Sequence, residues 1–172
     1  MLTVSETLSP SEQDIFWMTH ALSLAQKAEQ QGEIPVGAVL VKETQLIAEG
    51  WNQMIQNHDP TAHAEVVALR QAGRQEMNYR LNDLTLYVTL EPCPMCAGAM
   101  VHARIKRLVV AAKDFRTGAA GSLINLVQEP GLNHQVKTDI GVMESEASEM
   151  LSGFFRKRRS EQKKARQNSS DS

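Results

Sequence analysis

A chain of 172 residues, 42% hydrophobic and 22% charged, has the size and composition of one ordinary globular domain with a sizeable core. Its first residues, MLTVSETLSPSEQD, have neither a basic start nor an apolar stretch, and no apolar run approaches the ~20 residues of a membrane helix. The expectation is a cytoplasmic protein with no membrane partner. The net charge of −2 hides an asymmetry, because from Phe154 onward seven Lys/Arg stand against two acids, and in residues 1–153 eleven stand against eighteen. Such a basic end suits either a polyanion contact or a solvated terminal helix.

In chain order, Ser11 with Asp14 three residues later reads as a helix start. Ile15, Met18, Leu22, Ala25 and Ala28 then follow at helical spacing, up to Gly32. VGAVLVK (36–42) and LIAEGWN (46–52) read as a hairpin of two antiparallel strands. A loop rich in Asn, His, Asp and Pro leads into a second helix over 62–73. LTLYVTL (84–90) has the pattern of a buried strand, CAGAMVHA (96–103) of a short helix, and RLVVAA (107–112) of another strand. KDFRTGAAGS is a Gly-rich loop preceding a short helical turn. An edge strand is expected within 134–142, and a last helix from Glu144 to about Gln167. Strands joined through helices imply a partly parallel sheet covered on both faces, a three-layer α/β/α sandwich. The expected organisation is a flexible N-terminus (1–10), a single domain (11–160) and a polar tail (161–172).

Cys93 and Cys96, in LEPCPMC, are the only cysteines. In the cytosol such a pair is more often metal-binding or catalytic than a disulfide, and the strand–helix order is not that of a thioredoxin-like redox protein. Two thiolates need further ligands, and HDPTAHAEV supplies His58 and His63. A Cys2His2 set with both histidines would be a closed, structural zinc site. His63, Cys93 and Cys96 alone would leave a fourth position open, as in a catalytic zinc site. Two thiolates favour zinc over harder divalent ions. Both His63 and Cys93 are expected where helices begin, and helix N-termini lower thiol pKa values. In a regular helix His63 and Glu65 would point about 200° apart. Both can face one metal only if His63 sits at the irregular start, which Asp59, Pro60 and Thr61 suit. Glu65 would then take the proton of the metal-bound water and deliver it elsewhere, as general base and then general acid.

His63-Ala64-Glu65 followed by Pro92-Cys93-Pro94-Met95-Cys96 is similar to the H-x-E and P-C-x-x-C signature of the zinc-dependent nucleobase deaminases. With VGAVLV, EGWN, DPTAHAE, LEPCPMCAGAMVHARI, the KDFRTGAAGS loop and the FFRKRR tail, most of residues 12–160 resembles the bacterial tRNA-specific adenosine deaminases. The resemblance implies a cytidine deaminase-like fold with a mixed, mostly five-stranded sheet, one Zn2+ per subunit and a homodimer. It implies conversion of adenosine to inosine at the wobble position of a tRNA anticodon loop. It implies that zinc-bound hydroxide attacks C6, that Glu65 moves the water's proton to N1 to give a tetrahedral intermediate, and that Glu65 then helps protonate the amine, which leaves as ammonia. The resemblance further assigns Asn52 and Ala64 to the target nucleotide, Asp114 to a neighbouring sugar, and Phe155, Arg156, Arg158 and Arg159 to the RNA. An Asn at the end of a strand is also a common turn former. Adjacent Phe154 and Phe155 must face differently on a helix, so one is expected to pack inside. Met95, Met100 and Val101 suit either an interface or the core. Phe115, directly after Asp114, departs from the pattern as a large side chain near the pocket, and suits either an RNA-facing aromatic or a packing residue. The competing readings are a deaminase of a free base or nucleotide such as cytosine or guanine, and a zinc-stabilised RNA-binding module without catalysis.

Overall fold

Alternation along the strands decides the layering. The computed structural model describes residues 1–170. In β1 (Gly37–Lys42), β3 (Leu84–Leu90) and β4 (Arg107–Ala112), Ala38, Leu40, Leu86, Val88, Leu108 and Val110 join one buried cluster. Their alternate neighbours Val39, Val41, Tyr87, Val109 and Ala111 join a second. Successive side chains point to opposite faces, so a strand buried at every position must be covered twice. Helices α3 (Ala64–Gln75) and α4 (Pro94–Ala103) cover the first face through Ala68, Ala72, Ala97 and Met100. Helix α1 (Pro10–Gln30), with Trp17, Met18 and Ala21, and the start of α5 (Glu144–Ser170), with Ala147, cover the second.

With β2 (Gln45–Trp51) and β5 (Lys137–Ile140), the sheet runs β2-β1-β3-β4-β5. The β1–β2 and β1–β3 pairs are antiparallel, and β3–β4 and β4–β5 are parallel. The expected sandwich with a mixed five-stranded sheet is the one observed. Its directions bring the end of β2, the start of β1 and the carboxyl ends of β3 and β4 to one end of the sheet. That end is where ligands bind in open α/β sheets.

Several local expectations need correction. The first helix is capped by Ser9, not Ser11: its side chain accepts from the Glu12 N–H at 3.3 Å, and Glu12 Oε2 accepts from the Ser9 N–H at 2.8 Å. Pro10 fits the first helical position because no N–H is needed there. Asp14 is instead buried, receiving a bidentate pair of bonds from Arg107 at 2.8 Å and the Tyr87 hydroxyl at 2.7 Å. At the N-terminus Thr3 bridges Gln45, and Val4 is buried with its N–H on the Thr44 carbonyl. At the other end α5 continues past residue 160 to Ser170. A short helix α2 (Met54–Asn57) interrupts the expected loop after β2, and the turn after the Gly-rich loop is a 3-10 helix over Leu126–Gln128. Among the described residues no helix is long and apolar enough to cross a membrane.

Candidate active site

His63 is the N-cap of α3, in extended backbone with φ −68° and ψ 151°. This departure from helix geometry lets His63 and Glu65 address one point, as the two-residue spacing requires. Asp59 shapes the approach, accepting from the Thr61 N–H at 2.8 Å and its hydroxyl at 2.7 Å. Gly50 permits close packing there, because a Cβ would lie 2.3 Å from the Ala64 carbonyl oxygen. Cys93 is likewise the N-cap of α4, with Pro94 at the first position, so Cys96 lies one turn inside.

His63 Nδ1 lies 3.6 Å from Cys93 Sγ and 3.5 Å from Cys96 Sγ, and the three ligand atoms fall within 4.8 Å of one another. A tetrahedral ion with ordinary Zn–S and Zn–N bonds has N···S edges of about 3.6 Å. The donor set and its spacing therefore fit zinc. His58 is not part of the group: it is exposed and closes α2 in the left-handed conformation, with φ 49°. The closed Cys2His2 site is thereby ruled out in favour of the three-ligand one. His20 pairs with Glu49 at 2.9 Å, and His134 with the Ile105 carbonyl at 2.9 Å.

Hydrogen bonding to Cys96, outweighing burial, lowers the Cys93 thiol to about 4. The same partnership, with burial and the nearby Glu65 carboxylate, pushes the Cys96 thiol strongly up. Two thiolates side by side need a cation between them, and a bound metal ion supplies that charge. Hydrogen bonding to Cys93 raises His63. Glu65 is only 3% exposed rather than a solvated helix residue, and burial pushes it up to about 7.

His63, Glu65 and Cys93 open onto a cleft of about 910 Å³ whose lining also includes Asn52, Asp114 and Phe115, while Cys96 is buried behind it. Residues Phe155, Arg156 and Arg159 of α5 form its far wall. Asn52 is buried and clips two elements together: Oδ1 accepts from the Ala64 N–H at 2.9 Å, and Nδ2 donates to the Ile34 carbonyl at 3.0 Å. Ala64 is correspondingly fully buried, its N–H engaged by Asn52 Oδ1. Arg158 is not among the residues that line the cleft, and its guanidinium lies 5.2 Å from the centre of the buried Phe154 ring. At 100° per residue, Arg158 points about 200° away from Arg156, whereas Arg159 returns toward it. Phe154 and Phe155 divide as helix geometry requires, the first buried and the second exposed to the cleft. Met100 and Val101 are core, and Met95 remains partly exposed.

Asp114 organises its own loop. Its Oδ1 accepts from the N–H groups of Arg116 (2.9 Å) and Thr117 (3.2 Å), and its Oδ2 from the Thr117 hydroxyl (2.8 Å). Burial alone would raise its pKa, but these bonds together hold the carboxyl below the ordinary value. Sequence reasoning missed Glu91, which is 2% exposed. It accepts from the N–H groups of Asp114 (3.3 Å), Ala120 (3.1 Å) and Ser122 (3.1 Å), and from the Ser122 hydroxyl. Gly118 makes that lock possible, since a Cβ there would lie 2.2 Å from Glu91 Oε2 and 2.3 Å from the Asp114 carbonyl oxygen. The one local signal was a carboxylate at the end of a buried strand, where only a partner can hold it.

Residues 11–112 match the profile of the cytidine and deoxycytidylate deaminase zinc-binding region. The tRNA-specific adenosine deaminase of Haemophilus influenzae is 54% identical over 89% of this chain and 89% of its own length. The chain belongs to the tRNA-specific adenosine deaminase branch of this zinc-dependent family. The Bacillus subtilis tRNA-specific adenosine deaminase is 45% identical over 92% of the chain and 99% of its own. A solved tRNA:A34 deaminase, from a study of A-to-I editing at the wobble position of transfer RNA, is similar in structure with a TM-score of 0.77. It is 40% identical and covers 79% of this chain and 99% of that one. Membership of this branch gives the His63, Cys93 and Cys96 group its zinc, and the fit of their spacing agrees.

Proposed function

We propose that this protein deaminates adenosine to inosine at the wobble position of a tRNA anticodon loop. The observation that carries the reading is the buried Glu65 beside a three-ligand metal group, at the floor of a cleft walled by aromatic and basic side chains. His63 Nδ1, Cys93 Sγ and Cys96 Sγ would hold the zinc, which when bound supplies the Lewis acidity that makes water nucleophilic at neutral pH. Glu65 takes one proton of the attacking water and passes it to N1 of adenine, where it stays, and then moves the second, from the new C6 hydroxyl, to the amine, which leaves as ammonia while C6 becomes the carbonyl of inosine. Ile34, Val36 and Leu90 line the cleft with apolar surface suited to a purine face, while Asn52 presents the amide edge that remains beyond its two internal bonds. An anticodon loop offers bases already splayed from the helix, which lowers the cost of extrusion. Arg156 and Arg159 meet the RNA backbone, and Asp114 supplies an acceptor for a neighbouring 2′-OH. We further propose that the single domain runs from Thr3 through α5, that it acts in the cytosol, where unpaired metal-binding thiols persist, and that it works as the homodimer the family resemblance implies.

The test is single-turnover deamination of an adenosine-containing anticodon stem-loop by wild type and Glu65→Ala, with zinc assayed in both. Inosine formation by wild type alone, at equal zinc content, is expected. Equal turnover by both removes Glu65 from proton transfer. Turnover of free cytosine or guanine with an inert stem-loop overturns the RNA substrate.

A further inference from the structure

Phe115 is 77% exposed although its loop is firmly held. The bonds Asp114 accepts from Arg116 and Thr117 tie together the backbone before and after Phe115, and the Gly118 N–H closes the turn onto the Asp114 carbonyl at 2.9 Å. The ring is therefore presented by a preorganised loop and packs into no core. It lines the same cleft as Phe155, which is 39% exposed and comes from α5. Four cations, Lys113, Arg116, Arg156 and Arg159, line that cleft around the two rings. The three acids of the lining do not pair with these cations: Glu65 is buried at the floor, Glu91 holds the loop, and Asp114 holds it too while keeping a lone pair for a sugar hydroxyl. Exposed aromatic faces among cations fit a chain of planar bases joined by phosphates.

We propose that Phe115 is a stacking platform for a nucleobase adjacent to the target adenosine, and so helps select the target's sequence context. The inference rests on the RNA-substrate reading and deepens it. Nothing passes between ring and base except dispersion and solvent exclusion, so the role is one of binding and positioning. A base–aromatic stack corresponds to roughly 5- to 150-fold in affinity. Four cations close to the rings disfavour a second copy of this chain as the occupant, because two such patches would repel.

The experiment is a cycle of protein variants against stem-loops carrying an abasic site immediately 5′ or 3′ of the target. Phe115→Ala is expected to raise KM about tenfold with a much smaller change in kcat, and Phe115→Tyr to restore it where Phe115→Leu does not. For one of the two abasic substrates the wild type should show the same loss, and Phe115→Ala should add nothing to it. Additive losses at both positions, an unaffected KM, or full rescue by Leu would overturn the proposal. So would a change in the mass of the native particle on Phe115→Ala, which would place the ring in a subunit contact. If wild type deaminates no adenosine-bearing stem-loop, the functional reading fails with it. If wild type is active and Phe115 is silent, only the stacking role falls.

Discussion

Replacing Glu91 by Ala tests whether one buried carboxylate sets the wall of the cleft. The side chain is 2% exposed and accepts four hydrogen bonds, three of them from backbone N–H groups spread over 114–122. Bonds to a charged group contribute about 1.5–3 kcal/mol each, and a buried donor left unpaired costs about 1–3 kcal/mol. Only Ala120 is a fully buried donor residue, while Asp114 and Ser122 lie closer to solvent and recover water. The expected loss is therefore nearer one strong bond plus one orphaned N–H, about 2–4 kcal/mol. For a domain of this size that corresponds to a fall in Tm of about 5–15 °C. Glu91→Gln keeps the volume and one acceptor, and should lose about half as much. Zinc content should hold, because no Glu91 bond reaches the ligands, while kcat/KM on the stem-loop falls by roughly 10- to 100-fold as the wall bearing Asp114 and Phe115 loosens. Thermal unfolding, amide exchange across 113–122 and RNA deamination are the assays. Unchanged exchange in that segment with Tm within about 2 °C of wild type would refute the lock.

Arg107→Ala should destabilise the fold by roughly 3 kcal/mol, because it leaves Asp14 buried with only the Tyr87 hydroxyl. Burial alone would raise the Asp14 carboxyl, but the bonds from Arg107 and Tyr87 together hold it low. A depressed folded pKa gives stability that is complete above the unfolded value of about 3.9 and is lost as pH falls toward the folded value. Urea unfolding from pH 2.5 to 7 should therefore show an acid limb below about pH 4 that is shallower in Arg107→Ala. Excess chelator should lower Tm by roughly 10 °C, reversibly with zinc and not with magnesium, and an unmoved Tm would show that the metal is uncoupled from folding. Arg156→Ala with Arg159→Ala should flatten the salt dependence of RNA binding by about 1.4 in log–log slope, while Arg158→Ala leaves the slope in place. An equal change in all three would contradict the orientation of α5.

What the sequence revealed depended on how local its cause was. The core strands read correctly because residues 84–90 and 107–112 are short, mainly apolar stretches rich in β-branched and aromatic side chains, which favour a strand buried on both faces over a helix. The metal ligands read correctly because coordination chemistry fixes residue types and spacing, and the H-x-E spacing itself demanded an irregular start that His63 supplies. The start of α1 was misplaced because two serines compete there, and Asp14 resembled a first-turn acid. Its real partner, Arg107, lies 93 positions away, and no local pattern announces such a pair. Residues 1–4 looked like a free end for the same reason, since the strand that pins them begins at Gln45.

The same distinction separates the site residues. Arg156, Arg158 and Arg159 are equivalent as composition, yet helix phase sends two to the cleft and one back onto Phe154. That difference was calculable once α5 was known to be helical and Phe154 known to be inside. Asn52 and Ala64 look like separate substrate contacts, yet one 2.9 Å bond makes them a single clip that aims His63 and Glu65. Glu91 sits inside the most informative motif of the chain and was passed over, because its partners belong to a loop that begins 23 residues later. Sheet topology explains why these scattered pieces meet. Asn52 follows β2, Val36 precedes β1, Glu91 and Cys93 follow β3, and Asp114 and Phe115 follow β4, all at the same end of one sheet. An insertion that moved any one strand end by a single residue would turn its functional side chain to the opposite face. The chemistry of this cleft is therefore held in place by strand register as much as by the zinc ligands themselves.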